Sequence, residues 1–163
     1  IMYHSEPEMA ADIRKAGTAI VKAYDIRDTF FHFEFFRTTD KQTGKSKVMA
    51  LEVNMRPPGG CMPELMNYEH DTDVYQMYAD MIVHDRLYQP TEKKYLGIYV
   101  ARKNRFNYVH THEEILERYP DQLMQYNEVD EIFSAVMGDH MYLMRAKTQE
   151  EADEIIRFVQ EKC

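Results

Sequence analysis

The chain has 163 residues, of which 44% are hydrophobic and 29% are charged, so it is long enough for one ordinary domain or two small ones. No apolar stretch approaches the roughly 18 residues of a membrane-spanning helix. The formal net charge of −8 argues against nucleic acid as the main partner, because phosphate backbones are bound by clustered lysine and arginine. An acidic chain can still bind a phosphorylated ligand when metal ions supply the positive charge.

The cysteines and the N-terminus indicate where the protein works. Cys61 and Cys163 are too few for a disulfide framework and predict a reducing compartment, the cytoplasm. The N-terminus lacks the basic and apolar segments of a signal peptide. Because Ile1 runs almost directly into a predicted helix, the chain is expected to be a piece of a longer protein, although a trimmed sequence would begin in the same way.

The first half of the chain predicts a helix, a hairpin and a second helix. The first helix opens at Ser5 or Glu6, and its apolar residues recur at three- and four-residue steps. Strands at 29–37 and 47–55 are joined by a polar turn that contains Gly44. The second strand is ended by the prolines and glycines of PPGG (57–60), and a helix is predicted at about 73–87.

The second half predicts a compact α+β unit. Pro90 and the charged residues 91–94 mark a boundary, which divides the chain into domains at 1–90 and 91–163. The elements predicted beyond the boundary are strands at 95–102, near 131–136 and at 140–146, and helices at 112–119 and after Thr148. Thr148 and Glu151 have the spacing of a capping box.

The hairpin places two carboxylates face to face. If its strands pair through a symmetric turn centred on Thr43, Glu34 lies opposite Glu52, His32 opposite Asn54 and Phe36 opposite Ala50. These even-numbered side chains share one face, because side chains alternate along a strand. The odd-numbered residues form an apolar core face: Phe31, Phe33, Phe35, Met49, Leu51, Val53 and Met55.

Opposed carboxylates repel each other, so a partly covered pair needs a cation or a shared proton. Asn54 adds a third oxygen ligand, and this set suits Mg²⁺, which completes its shell with water and phosphate. Arg56 continues the same face and could hold a phosphate or carboxylate oxygen. Backbone N–H groups at Gly59 and Gly60 could approach an anion closely. The alternative is a solvated polar face on an ordinary hairpin.

The strings FHFEFF (31–36) and LEVNMRPPGG (51–60) resemble the two metal-binding strands of the ATP-grasp superfamily. The arginine two residues after the asparagine is similar to the variant in biotin carboxylase and the large subunit of carbamoyl-phosphate synthase. The helices on either side of the hairpin resemble those of the same family. The resemblance covers roughly residues 8–88 well. It implies an α+β fold: the C-terminal lobe of an ATP-grasp domain, with an antiparallel sheet and flanking helices, followed by a small α+β domain.

The resemblance implies roles for single residues. Glu34 would bind one magnesium, Glu52 would bridge two, and Asn54 would bind the second, with manganese as the substitute ion. Arg56 would hold the γ-phosphate or an acyl phosphate. Phe36 and Leu51 would lie near the adenine of ATP, although strict alternation puts Leu51 on the opposite face unless a bulge intervenes. His32 faces the site and is either a phosphate contact or a structural histidine.

The implied reaction activates a small-molecule carboxylate with ATP and transfers the acyl group to an amine or a thiol. In this family an earlier lobe supplies lysines to the phosphates, so the missing N-terminal portion of the chain is an expected partner and the isolated fragment is expected to be inactive. A homo-oligomer is a further possibility, because a half-site has surface that is normally covered. Two other interpretations stay open: a non-catalytic ATP-grasp-like module for assembly or ligand sensing, and an independent α+β domain with a chance motif.

Overall fold

The computed structural model describes all 163 residues, Ile1–Cys163, and has an α+β fold with a four-stranded antiparallel sheet and a separate two-stranded sheet. None of its helices has the length and apolar character needed to cross a bilayer. In chain order the elements are β1 (Met2–His4), α1 (Ala11–Ala23), β2 (His32–Thr39), β3 (Ser46–Asn54), α2 (Met62–His70), α3 (Val74–His84), β4 (Leu96–Arg102), α4 (His112–Arg118), β5 (Leu123–Glu128), α5 (Glu131–Met137), β6 (His140–Ala146) and α6 (Gln149–Gln160).

The chain divides into two compact units, which interleave along the sequence. The sheet unit consists of Ile1–Pro7, Glu64–Thr72 and Pro90–Cys163. The hairpin unit consists of Glu8–Pro63 and Asp73–Gln89. The composition of the chain predicts a single boundary at residue 90. It contains no signal that the short segments Ile1–Pro7 and Glu64–Thr72 belong to the sheet unit.

The sheet unit is built around four antiparallel strands in the order β1-β4-β6-β5. The strands predicted at 95–102 and 140–146 and the helices predicted at 112–119 and after Thr148 are confirmed as β4, β6, α4 and α6. One face of the sheet packs against α4 and α6 and forms the core. Its fully buried members are Ile98, Val100, Ile115, Met144, Ala152, Ile155 and Val159.

One prediction for residues 91–163 of this unit is wrong, and one strand in that range was not predicted. The segment predicted as a strand near 131–136 is α5, which begins where the Asp130 carboxylate accepts a hydrogen bond from the Ile132 amide (3.0 Å) and ends at Gly138. The third strand is instead β5, which has no clean alternation of apolar and polar residues. Apolar residues in a short segment do not distinguish a strand from a helix, and the cap at Asp130 decides the outcome here.

Two helix caps in this unit differ in their chemistry, and only the one at Thr148 was predicted. Thr111 and Glu114 form a complete capping box at α4, in which the Glu114 carboxylate accepts from the Thr111 amide (2.7 Å). At α6, Thr148 caps the Glu151 amide (3.2 Å), but the Glu151 carboxylate accepts from the Lys147 amide instead (2.7 Å). The box predicted at Thr148 is therefore only half formed.

A Thr111→Ala variant should lower the free energy of unfolding by about 1 kcal/mol, the usual cost of removing an N-cap side chain. The reason is that the Glu114 amide loses its acceptor, Thr111 Oγ1. Urea unfolding followed by circular dichroism measures the change. Thr111→Ser keeps the acceptor and should stay within a few tenths of wild type; equal losses for serine and alanine would contradict the cap assignment.

The hairpin unit contains α1, the β2–β3 hairpin and α3. The first helix begins at Ala11, not at Ser5 or Glu6, because residues 2–4 are extended and pair with β4 within the sheet unit. The second helix is confirmed, with the Asp73 carboxylate accepting from the Tyr75 and Gln76 amides. It ends at His84, three residues before the predicted end, because Asp85 adopts a left-handed conformation with φ 52°.

Candidate metal site on the hairpin

The hairpin turn is closed by Asp40. Its carboxylate accepts hydrogen bonds from the Thr43 amide (2.8 Å), the Thr43 hydroxyl (2.9 Å) and the Gln42 amide (3.0 Å). These bonds, with that of the Thr43 amide first, hold the pKa of Asp40 below its usual value. Gly44 completes the turn with a φ of 67°, a value that glycine adopts at low cost. The turn thereby fixes which residues of the two strands face each other.

The predicted register is confirmed at the end of the hairpin that carries the candidate ligands. Glu34 lies opposite Glu52, and His32 lies opposite Asn54. Between Glu34 and Phe35 the pairing shifts by one residue, which leaves Leu51 as the extra residue of a β-bulge. Glu34 is therefore opposed by Leu51 and Glu52 together.

Beyond the bulge the predicted pairing is wrong, because Phe36 lies opposite Met49 and not opposite Ala50. Opposed residues of an antiparallel pair share a face, so Met49 joins Phe36 on the face that carries Glu34. Phe36, Met49 and Leu51 are 59%, 47% and 55% exposed. The bulge accounts for the conflict between strict alternation and a Leu51 near a nucleotide, while the nucleotide role itself stays a prediction.

The two opposed carboxylates have no partner. Glu34 and Glu52 are exposed, and the ion pairs of the hairpin unit join other residues, Arg27 with Asp25 and Arg37 with Asp12. Directly opposed strand residues have Cβ atoms about 4.5–5.5 Å apart. Like charges at that spacing disfavour the strand pair, so a cation held between them would be stabilising.

The other predicted residues of this face surround the pair. Asn54 is half-buried, and its Nδ2 is buried without a hydrogen-bond partner. His32 Nδ1 lies 3.0 Å from the Arg56 carbonyl; because a carbonyl only accepts, Nδ1 carries the proton in this bond. Arg56 is exposed and donates one bond to the Pro57 carbonyl (3.1 Å), which leaves its remaining donors uncommitted.

The glycine loop after β3 is open. Gly59 and Gly60 are exposed, and a Cβ added at either position would meet no atom within 4 Å. Gly60 has a φ of 64°. Backbone N–H groups in such a loop can be approached closely by an anion. The loop therefore has the free space that the predicted phosphate contact requires.

The donor set fits one mode of magnesium binding. The structure has no group of three or more histidine, cysteine, aspartate or glutamate side chains arranged to hold a metal. The face offers two carboxylates and one amide, which is short of an all-protein cage. Magnesium usually binds through one or two carboxylates and takes its remaining ligands from water and substrate phosphate, and the hairpin fits that mode.

The residue pattern does not predict Met49 on the face that carries Glu34, because nothing in that pattern marks the bulge at Leu51.

The chain matches none of the models of known protein families and none of the curated proteins with which it was compared.

Proposed function

We propose that the hairpin is the metal-binding half of a magnesium–ATP site, in the C-terminal part of a cytoplasmic ATP-grasp ligase that joins a small-molecule carboxylate to an amine or a thiol. The observation that carries this proposal is the pairing of Glu34 with Glu52, two exposed carboxylates with no cationic partner. A strand pair gains nothing from this arrangement unless a cation is bound.

In the proposed site Glu34, Glu52 and Asn54 hold the metal on one face of the hairpin. Bound magnesium would neutralise the triphosphate and the charge that develops during phosphoryl transfer. Arg56 adjoins this face and offers uncommitted donors to an acyl phosphate. The exposed apolar side chains of Phe36 and Leu51 offer contact area to an adenine ring.

The proposed site is half of a complete one. Lys45 belongs to the hairpin turn and Lys47 to the neighbouring end of β3, away from the Glu34–Glu52 pair. The lysines that bind the triphosphate would therefore come from another lobe. The 163 residues alone are expected to show no ATP-dependent ligation, and detectable turnover in a coupled ADP-release assay would contradict the two-lobe proposal.

Glu52→Gln tests the metal site. Without metal, the variant should unfold at the same temperature as wild type or a higher one, because one of two repelling charges is gone. With Mn²⁺ and ATP, only the wild type should gain in Tm, by a few degrees. Electron paramagnetic resonance of free Mn²⁺ measures binding directly, and at least a tenfold weaker affinity is expected for the variant.

Glu117→Gln is the matched control, since Glu117 is an exposed glutamate in α4 with no ion pair. It should bind Mn²⁺ as wild type does. Equal Mn²⁺ affinity in wild type and Glu52→Gln would contradict the proposed metal site. A non-catalytic module is the second candidate; ATP binding that needs no metal and survives Glu52→Gln would support that candidate.

A further inference from the structure

An apolar groove of about 420 Å³ runs between α1 and β2 in the hairpin unit. This volume is within the range of small-molecule sites, about 300–1,000 Å³. The apolar side chains that line it come from both elements: Ile13 and Val21 from the helix, and Phe31, Phe33 and Phe35 from the strand and the residue before it. Its three phenylalanines lie on the hairpin face opposite Glu34, because side chains alternate along β2, and His32 lines the edge of the groove.

The floor of the groove is aromatic. The rings of Phe31 and Phe33 stack with centroids 4.8 Å apart, and Phe35 meets Phe33 edge-on at 6.4 Å. Gly17 is the helix residue above Phe33, and a Cβ added there would lie 3.7 Å from Phe33 Cδ2. The helix backbone therefore lies close to Phe33 at this position, and a side chain larger than alanine at position 17 would extend along the ring into the groove.

One cation at the groove has no counter-ion. Arg14 lines the groove, whereas the two arginine ion pairs of this unit are Arg27–Asp25 and Arg37–Asp12. A guanidinium beside an aromatic surface stacks on rings and binds carboxylate, sulfonate or phosphate oxygens in a fork. In a chain of net charge −8, an unpaired arginine next to an apolar groove favours an anionic occupant.

We propose that this groove binds a small anionic amphiphile, whose ring system lies on Phe31 and Phe33 and whose acidic group pairs with Arg14. His32 is the one residue that lines the groove and also belongs to the proposed metal-site face, and the test of the groove does not depend on metal or ATP. The probe is 8-anilinonaphthalene-1-sulfonate, an aromatic sulfonate that fluoresces in apolar surroundings. Its uncharged analogue is N-phenyl-1-naphthylamine, which keeps the rings and lacks the acid.

Three variants separate the contributions. Gly17→Leu fills the space above Phe33 and should weaken both probes at least tenfold. Arg14→Gln removes the charge and should weaken the sulfonate about five- to tenfold while leaving the uncharged probe unchanged. Lys15→Gln removes a neighbouring exposed charge that does not line the groove, and both affinities should equal those of wild type. Unchanged circular dichroism establishes that each variant is folded.

Three results would overturn the proposal. Sulfonate affinity that is equal in wild type, Gly17→Leu and Arg14→Gln would place the probe elsewhere. If Arg14→Gln and Lys15→Gln weakened sulfonate binding equally, the effect would come from the net charge of the protein and not from a contact with Arg14. A dimer in sedimentation velocity that Gly17→Leu abolishes, with no tight probe site, would make a second copy of the chain the occupant.

Discussion

A Gly97→Ala variant is expected to lose about 3 kcal/mol of the free energy of unfolding, as overpacking of a tight contact does. Gly97 lies in β4, and a Cβ built on it would stand 2.4 Å from Glu69 Oε1, 2.6 Å from Leu65 Cγ and 2.8 Å from Glu69 Cγ. Leu65 and Glu69 are 1% and 7% exposed. Both side chains belong to α2 and are buried, so they have little free space into which to move away from an added methyl group.

The Glu69 side chain is held by more than this contact. Its carboxylate lies 3.7 Å from the Lys93 ammonium. The backbone carbonyl of Glu69 accepts hydrogen bonds from the Lys94 and Tyr95 amides. The added methyl group would therefore act on the start of β4 as well as on α2. Guanidinium unfolding measures the loss, and the lower midpoint should appear without a change in the slope of the transition.

Gly59→Ala is the control for the intrinsic effect of the substitution. No atom lies within 4 Å of a Cβ at Gly59, so this variant should be neutral or slightly stabilising through the unfolded state. If Gly97→Ala lost no more than Gly59→Ala, the close approach of α2 to β4 would not exist in solution.

Local patterns predicted those elements whose own residues decide them. The β4 and β6 segments are continuous apolar runs bounded by turn signals, and α4, α6 and α3 carry capping residues at their first turns. The strand β1 has three residues and forms only because its backbone pairs with β4. No local signal marks such a strand, and the residue pattern predicts no element before the helix that it opens at Ser5 or Glu6.

The candidate site was predictable as far as the alternation of side chains extends. The opposition of Glu34 and Glu52 follows from the turn and the strand period, and both are local. The bulge at Leu51 depends on how the whole hairpin twists, so the pairing of Phe36 with Met49 was not predictable. The groove beside α1 was not predictable from the sequence for a different reason, because its volume depends on the distance between α1 and β2.

An Arg102→Met variant should lose about 3 kcal/mol of the free energy of unfolding. Arg102 is 7% exposed; its Nε donates to the Val159 carbonyl and its Nη1 to the His110 carbonyl, both at 2.7 Å. These bonds tie the last turn of α6 to the segment before α4. Hydrogen bonds from a charged donor contribute about 1.5–3 kcal/mol each, and methionine leaves both carbonyls without a partner.

Relief of desolvation acts in the opposite direction. Arg102 forms no ion pair within 4 Å, and the acidic side chain that favours its charge is the more distant Glu114; burial raises the pKa of Tyr142 to about 12, so its hydroxyl is neutral at pH 7. Burial removes water from the guanidinium and lowers the pKa of Arg102, and its Nη2 is buried without a partner. An apolar residue removes that cost, which is why buried charges are sometimes replaced without loss.

The two effects are separated by a second substitution. Arg102→Lys keeps the charge, but its single nitrogen cannot take the positions of both Nε and Nη1, so it should lose about half as much as methionine if the hydrogen bonds dominate. If desolvation dominates, methionine should equal or exceed wild type, and lysine should be the worse of the two. Urea unfolding gives the order, and hydrogen exchange of the α6 amides shows whether the loss lies at the helix end. The Tyr108 ring, 4.6 Å from the guanidinium, remains in all three proteins and stacks best on arginine, so the expected order is arginine, then lysine, then methionine.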